Sequence, residues 1–206
     1  MPADKVLIDS NCLHKLYLRS LLLSLADAGL LQPRWSREII AETIRSVNRR
    51  FPQRSTSVRA RLSSLSRSFP GSLVSGYSHL SGDLGCKDQA DEHVLAAAIH
   101  SRSEVLLTFN TVDFPKDSFE RFAVKVIHPD MYLLQLAIRY ETQFMQACSE
   151  WLKHFKKPAL RAEEGAQALL LAGCRELSHW LDEMSKTINE LLLETLTKES
   201  LGLRDV

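Results

Sequence analysis

Two short apolar runs, Val6-Leu7-Ile8 and Val105-Leu106-Leu107-Thr108, and a last short strand, Val124 to Ile127, are interleaved with stretches whose apolar residues recur at helical spacing. Strands without polar alternation are buried on both faces, and helical crossovers between parallel strands are what cover both faces. The first run stops at Asp9-Ser10-Asn11 and the second leads into the polar turn Asn110 to Asp113. The first helical stretch runs through Leu13, Leu16, Tyr17, Leu21 and Leu25 and should end near Gly29. After Pro33, Trp35-Ser36 leads a second helix, with Ser36 as its N-cap, Glu38 in the dipole-favoured first turn and Ile39, Ile40 and Ile44 on the buried side. Gly71 to Gly85 is rich in Gly and Ser and reads as loop, and Ala90 to Ile99 as a third helix.

Beyond Asp130 no strand pattern remains. Met131 to Phe155, Ala162 to Ala172 and Arg175 to Thr197 all read as helices, broken at Lys156-Lys157-Pro158 and at Gly173. The expected fold class is therefore α/β, a parallel sheet flanked by helices over residues 1–129, followed by an all-helical C-terminal extension over 130–206. Leu177, Leu181, Met184, Ile188 and Leu191 repeat as a helix seam, two heptads being too short for a coiled coil. Trp151 and Trp180 read as packing residues.

The 206 residues carry a net charge of only +1, as ordinary globular proteins do, but that balance conceals segregation along the chain. From Arg34 to Arg67 there are nine arginines, no lysine and only Glu38 and Glu42 as acids; between Asp83 and Glu120 eight acids face three bases. Such segments are either oppositely charged solvated helices or a polyanion-binding arm beside an acidic cluster. Exclusive use of arginine, whose fork grips phosphate in a bidentate way, tilts the reading towards a phosphate-bearing partner, with Arg45, Arg49 and Arg50 as candidate contacts. Cys12, Cys86, Cys148 and Cys174 lie far apart without a paired motif, so neither zinc nor a disulfide framework is expected. Lacking a long apolar run or a signal-like start, the chain is expected to be soluble and cytoplasmic, with no membrane partner.

In open parallel sheets, sites gather outside the carboxyl ends of the strands. Asp9 follows the first strand, Asn110 and Asp113 follow Val105 to Thr108, Asp91 opens the helix entering that strand, and Glu42 lies one turn beyond Glu38. Convergence would be costly: two carboxylates about 4 Å apart repel by roughly 4 kcal/mol at an effective dielectric near 20. A hard divalent cation, Mg²⁺ or Mn²⁺, relieves that repulsion, and phosphodiester hydrolysis is its natural task. The chain has no Gly-x-Ser-x-Gly elbow, phosphate-binding P-loop or HExxH pair.

Four blocks in order, VLIDSN, WSREIIAE, DQADEHVLAAAI and LLTFNTVDFP, resemble those of the PIN-domain nucleases, in particular the VapC-type toxins of bacterial toxin–antitoxin pairs. The resemblance covers about Val6 to Pro129, and the helices beyond look like the extension of a subset of that family. It implies a PIN-like sheet and a Mg²⁺- or Mn²⁺-dependent endoribonuclease that slows translation, dimerises, and is silenced by a cognate antitoxin. On these blocks Asp9, Glu42 and Asp91 match the family's acids, Asp113 or Asn110 the fourth position, and Thr108 and Asn11 supporting positions.

Plainer readings stand beside these. Asp9 serves equally as a helix cap, Asp88 caps the helix that Asp91 opens, Asp113-Phe114-Pro115 is a turn whose Phe114 plugs the core, and His93 supports its neighbours. A nuclease-like module that has lost activity and only binds RNA or protein is the main alternative. A haloacid dehalogenase-type phosphatase fits less well, because Asn11 stands where that family needs a second acid.

Overall fold

The computed structural model describes residues 3–54, 60, 62, 65, 67–80, 82–155 and 159–200. Arg59, Arg61 and the expected break at Lys156-Lys157-Pro158 lie outside the described residues. The chain divides into two compact units, Met1–Leu16 with Leu31–Pro129, and Tyr17–Leu30 with Asp130–Val206.

In the first unit the strands β1 (Lys5–Ile8), β2 (Gln32–Ser36), β3 (Leu73–Val74), β4 (Val105–Leu107) and β5 (Lys125–Ile127) form one sheet in the order β3-β2-β1-β4-β5, every pairing parallel. Val6, Leu7 and Ile8 in the central strand are fully buried, as are Leu106 and Leu107 beside them. That double-sided burial is why these runs carry no polar alternation. Helices α1 (Ser10–Leu13), α3 (Arg37–Arg50), α4 (Glu92–His100) and α5 (Ser118–Phe122) accompany the sheet, while α2 (Leu16–Asp27) falls almost wholly in the other unit. The parallel α/β sheet and the helical region after it agree with the fold read from the sequence.

Two strands escaped that reading. β2 contains Pro33 and Arg34, which look like breakers. A proline is tolerated here because of parity: Trp35 N–H points towards β3 and reaches Ser72 O at 3.0 Å, so Pro33, two residues earlier, faces the same side before β3 begins. No ladder donor is lost. β3 is two residues long inside the Gly/Ser-rich stretch, too short for any period to show. The first helix, read as continuous, is interrupted between α1 and α2. Ser36 does cap α3, accepting from Ile39 N at 3.1 Å.

The second unit holds α2 with α6 (Pro129–Arg139, of which Pro129 belongs to the first unit), α7 (Glu141–Lys153), α8 (Ala162–Leu171), α9 (Arg175–Glu183) and α10 (Ser185–Ser200). Two helices expected as single pieces are split, at Tyr140 and at Met184. The heptad seam thus crosses a helix break, with Leu177, Leu181 and Ile188 fully buried. Trp151 is fully buried, and Trp180 packs edge-on against Phe144 with centroids 5.3 Å apart. Asp130 caps α9 from 46 residues away, accepting from Glu176 N at 3.0 Å and Leu177 N at 2.8 Å. No helix among the described residues is long and apolar enough to cross a membrane.

Candidate active site

The chain runs from β1 outward to β2 and β3, then returns past β1 to β4, so the order reverses between β1 and β4. A crevice opens at the carboxyl ends of strands at such a point. Asp9 sits there. Its N–H continues the ladder to Leu107 O at 3.0 Å, while Oδ1 caps α1 by accepting from Ser10 N at 2.5 Å. Oδ2 accepts from Asn11 Nδ2 at 2.6 Å and from Thr108 Oγ1 at 2.7 Å. Asn11 also donates to Thr108 Oγ1 at 2.8 Å and accepts from Phe109 N at 3.1 Å, and Thr108 Oγ1 accepts from Asn110 N at 3.1 Å. The capping and supporting roles read from sequence are therefore one network that ties the end of β1 to the end of β4.

That network holds a carboxylate only 5% exposed. Burial raises its pKa; hydrogen bonds from Thr108 and Ser10 oppose the rise, and the charge of Glu42 adds to it. Asp91, at the entrance of α4, is pushed up to about 6, first by burial and then by the charges of Asp9, Asp88 and Asp113, against the pull of His93. Four acids from three distant segments thus feel one another. Asp88 caps the short turn Gln89–Asp91 that leads into α4 rather than α4 itself, accepting from Ala90 N at 2.9 Å. Asp113 accepts a hydrogen bond from the Asn110 amide, so the two candidates for the fourth position are bonded to each other. Its backbone O also accepts from Lys87 N at 2.7 Å, and Phe114 beside it is buried as anticipated.

Glu42 is held differently. Its Oε1 lies 3.1 Å from His93 Nε2 and 3.6 Å from Arg45, and the bond from His93 keeps its pKa below the usual range against the effect of burial. Glu38 accepts a hydrogen bond from Tyr77, whose hydroxyl is pushed up to about 12 by burial and by that bond. Sequence reasoning gave His93 only a general supporting role and passed over Tyr77. The pairing of His93 with Glu42 joins residues 51 apart and gave no sequence signal, and neither did Tyr77, which lies in the stretch taken as loop.

The donor set fits a hard cation: it is all oxygen, and among the described residues no lysine or arginine pairs with Asp9, Asp88, Asp91 or Asp113. Asp9, Asp91, Asp113 and Asn110 could hold one. Among the described residues no three His, Cys, Asp or Glu side chains already close around a single point. Mg²⁺ keeps several waters and usually takes one or two carboxylates plus substrate phosphate.

Of the three arginines singled out, Arg45 is engaged with Glu42, whereas Arg49 and Arg50 are exposed in the last turn of α3.

The model of a family described as "PIN domain" matches residues 5–112. VapC50 of Mycobacterium tuberculosis (strain ATCC 25618 / H37Rv), a protein named as a ribonuclease, is 37% identical over 82 residues, which are 38% of this chain and 48% of that relative. The chain thus spans about half the length of the curated relative it matches. No solved structure matches the chain.

Proposed function

The chain belongs to the PIN-domain family, and from that premise we propose that it is a divalent-metal-dependent endoribonuclease, the toxin of a toxin–antitoxin pair that slows translation by cutting RNA. The observation that carries the proposal is Asp91 at the entrance of α4, raised to about 6 first by burial and then by the charges of Asp9, Asp88 and Asp113, which come from the ends of β1 and β4 and from its own turn. Such mutual repulsion has a function where a cation and a phosphodiester are to be received.

A bound Mg²⁺ or Mn²⁺ would neutralise charge developing on the phosphate and make water a better nucleophile. The chain's own residues supply the rest. Asp9, Asp91 and Asp113, or Asn110 in its place, would hold the cation, while Thr108 and Asn11 fix the orientation of Asp9. Glu42, kept ionised by His93, adds negative charge on the facing helix. Asp88 shapes the turn from which Asp91 projects, and Arg45, Arg49 and Arg50 are assigned to the RNA backbone. The same proposal places the nuclease in residues 1–129 and the extension in 130–206, with a cytoplasmic location, a homodimer and an antitoxin that covers the acidic pocket.

The test is cleavage of RNA by the purified chain with Mg²⁺ and with EDTA, alongside Asp9→Asn and Asp91→Asn. Cleavage only with the metal, lost in both variants while their melting transitions persist, supports the assignment. Full cleavage by both variants would overturn it. A second reading, an inactive RNA- or protein-binding module, is favoured by the absence of a preassembled three-ligand cage among the described residues. RNA binding without metal-dependent cleavage would select it.

A further inference from the structure

β2 and β3 end side by side, with Ser36 paired to Val74. The residues that follow the two strands, Arg37 and Glu38 at the start of α3 and Ser75 to Ser78 beyond β3, therefore meet, and they line a cleft of about 370 Å³. That volume lies at the lower end of the range for small-ligand sites, roughly 300–1,000 Å³. Glu38 precedes Glu42 by one turn of α3, about 6 Å along the helix axis. Charge links the cleft to the acidic pocket. Tyr77, raised chiefly by burial and by its bond to Glu38, also feels Glu42, and Glu38, lowered chiefly by that bond, also feels His93.

The walls of the cleft carry opposite charges. Arg37 is exposed and, among the described residues, forms no ion pair. Glu38 is exposed as well, but its orientation is not left to solvent: Tyr77, only 5% exposed, donates its hydroxyl to Oε2. The helix dipole accounts for an acid in a first turn. It does not account for a buried phenol that fixes that acid at the wall of a concave site. An ionised carboxylate only accepts hydrogen bonds, at about four lone-pair sites, so it can still receive donors after Tyr77 has taken one. An unpaired base offers its Watson–Crick edge to such a group. Guanine alone presents two adjacent donors there, N1–H and the N2 amine, whereas adenine and cytosine set one amine beside a bare acceptor that a carboxylate repels. The exposed hydroxyls of Ser75 and Ser78 are free to rotate and can donate to guanine O6.

We propose that this cleft is the base-reading subsite of the nuclease: Glu38 accepts from N1–H and the N2 amine of an unpaired guanine, Ser75 and Ser78 donate to its O6, and Arg37 engages an adjoining phosphate. The inference rests on the nuclease reading and adds a substrate preference, for single-stranded RNA with guanine next to the bond that is cut. Tyr77 is a positioning residue that acts through Glu38.

The experiment is anisotropy titration of fluorescein-labelled RNA hexanucleotides with the full chain in EDTA: an oligoadenylate, and the same strand with guanosine, inosine or cytidine at one central position. The guanosine strand should bind about tenfold more tightly than the adenosine and cytidine strands, with inosine, which lacks the N2 amine, between them. Glu38→Gln should bring the guanosine affinity down to that of adenosine, because the amide sets a donor against a donor. Tyr77→Phe keeps the ring and should narrow the preference, because the carboxylate is no longer held. Arg37→Ala should weaken all four strands and flatten the slope of log affinity against log salt by about 0.7, for one phosphate that no longer meets a guanidinium. Melting curves matching the parent chain exclude misfolding as the cause. A guanosine preference that survives Glu38→Gln overturns the subsite, as does a parent chain that prefers cytidine. A preference unchanged in Tyr77→Phe removes the positioning role, and an unchanged salt slope in Arg37→Ala removes the phosphate contact. A parent chain that cuts RNA with Mg²⁺ but binds the four strands equally removes the subsite and leaves the nuclease reading standing. One that neither binds nor cuts RNA removes both.

Discussion

His93 Nε2 lies 3.1 Å from Glu42 Oε1, joining α4 to α3 immediately beside Asp91. Burial alone would pull the imidazole's pKa down, but the hydrogen bond and charge of Glu42, with Asp9 and Glu38 beyond, raise it instead. Glu42 is lowered in return. The contact sets the distance between the helix that carries Glu42 and the one that Asp91 opens.

The first prediction concerns how that contact responds to pH. A raised histidine contributes stability fully below its ordinary 6.5 and loses it as pH climbs through the raised value. A lowered carboxylate contributes above its ordinary 4.5 and loses it as pH falls through the depressed one. The pair therefore stabilises most between 4.5 and 6.5. His93→Gln should cost about 1 kcal/mol in that window, solvent screening allowed for, and progressively less towards alkaline pH. Thermal unfolding of both chains across the range is the measurement, and a pH-independent gap would contradict the assignment.

Asp91 has the opposite sign. Its pKa is higher folded than unfolded, so the native state binds the proton more tightly and pays for ionisation once pH passes the ordinary 3.8, fully above about 6. Asp91→Asn should therefore stabilise the metal-free chain near neutral pH, by about 1 kcal/mol after screening. It should also reduce any rise in melting temperature that Mg²⁺ gives the parent. Calorimetry in EDTA and in Mg²⁺ separates the effects; a variant less stable than the parent in EDTA would show that the acids do not strain one another.

Thr108 is fully buried, with its hydroxyl shared among Asp9, Asn11 and Asn110. Thr108→Val keeps the shape but strands these partners, at a cost of about 1–3 kcal/mol. Removing its bond also lifts the Asp9 pKa further, because that bond opposes the burial effect. Metal-dependent cleavage should fall about 10- to 100-fold, in line with other groups that orient metal ligands. Thr108→Ser should restore most of it. Equal activity of the Val and Ser variants in a Mg²⁺ titration would show that the hydroxyl does not govern Asp9.

What could be read from the chain followed burial. Leu7 and Leu106 lie in fully buried strands, whose unbroken apolar runs are visible in one dimension, and the polar turns after them had to hold whatever the crevice contains. β2 could not be read in that way, because what permits Pro33 is the late start of its neighbour β3, a fact of pairing rather than of composition. The acids were named from the sequence as a set, and the structure lets the charges of Asp9, Asp88 and Asp113 act on Asp91. The bond between His93 and Glu42 was not legible, since it joins residues 51 apart whose spacing carries no period. In the helical unit the split at Met184 was hidden for a related reason: the seam from Leu177 to Ile188 keeps its repeat across the break.

Gly165 tests packing far from the acids. It lies in the first half of α8, where a Cβ would stand 2.7 Å from Leu152 Cδ2 and 2.9 Å from Trp151 Cζ3 of α7. Alanine is worth about 1 kcal/mol more than glycine inside a helix, which favours the substitution. Overpacking costs about 1–3 kcal/mol, and Trp151 and Leu152, both fully buried, have little room to yield. Gly165→Ala should therefore be destabilising on balance, by about 1–2 kcal/mol. Trp151→Leu removes the ring atoms but leaves Leu152 Cδ2 as the nearest contact, so it should relieve only part of the crowding, and the double variant should fall somewhat short of the summed losses. Hydrogen exchange at the α7 and α8 amides reports on this unit separately from the sheet. A Gly165→Ala chain whose α8 exchanges as slowly as the parent's would show that the helices can separate enough to admit a methyl group.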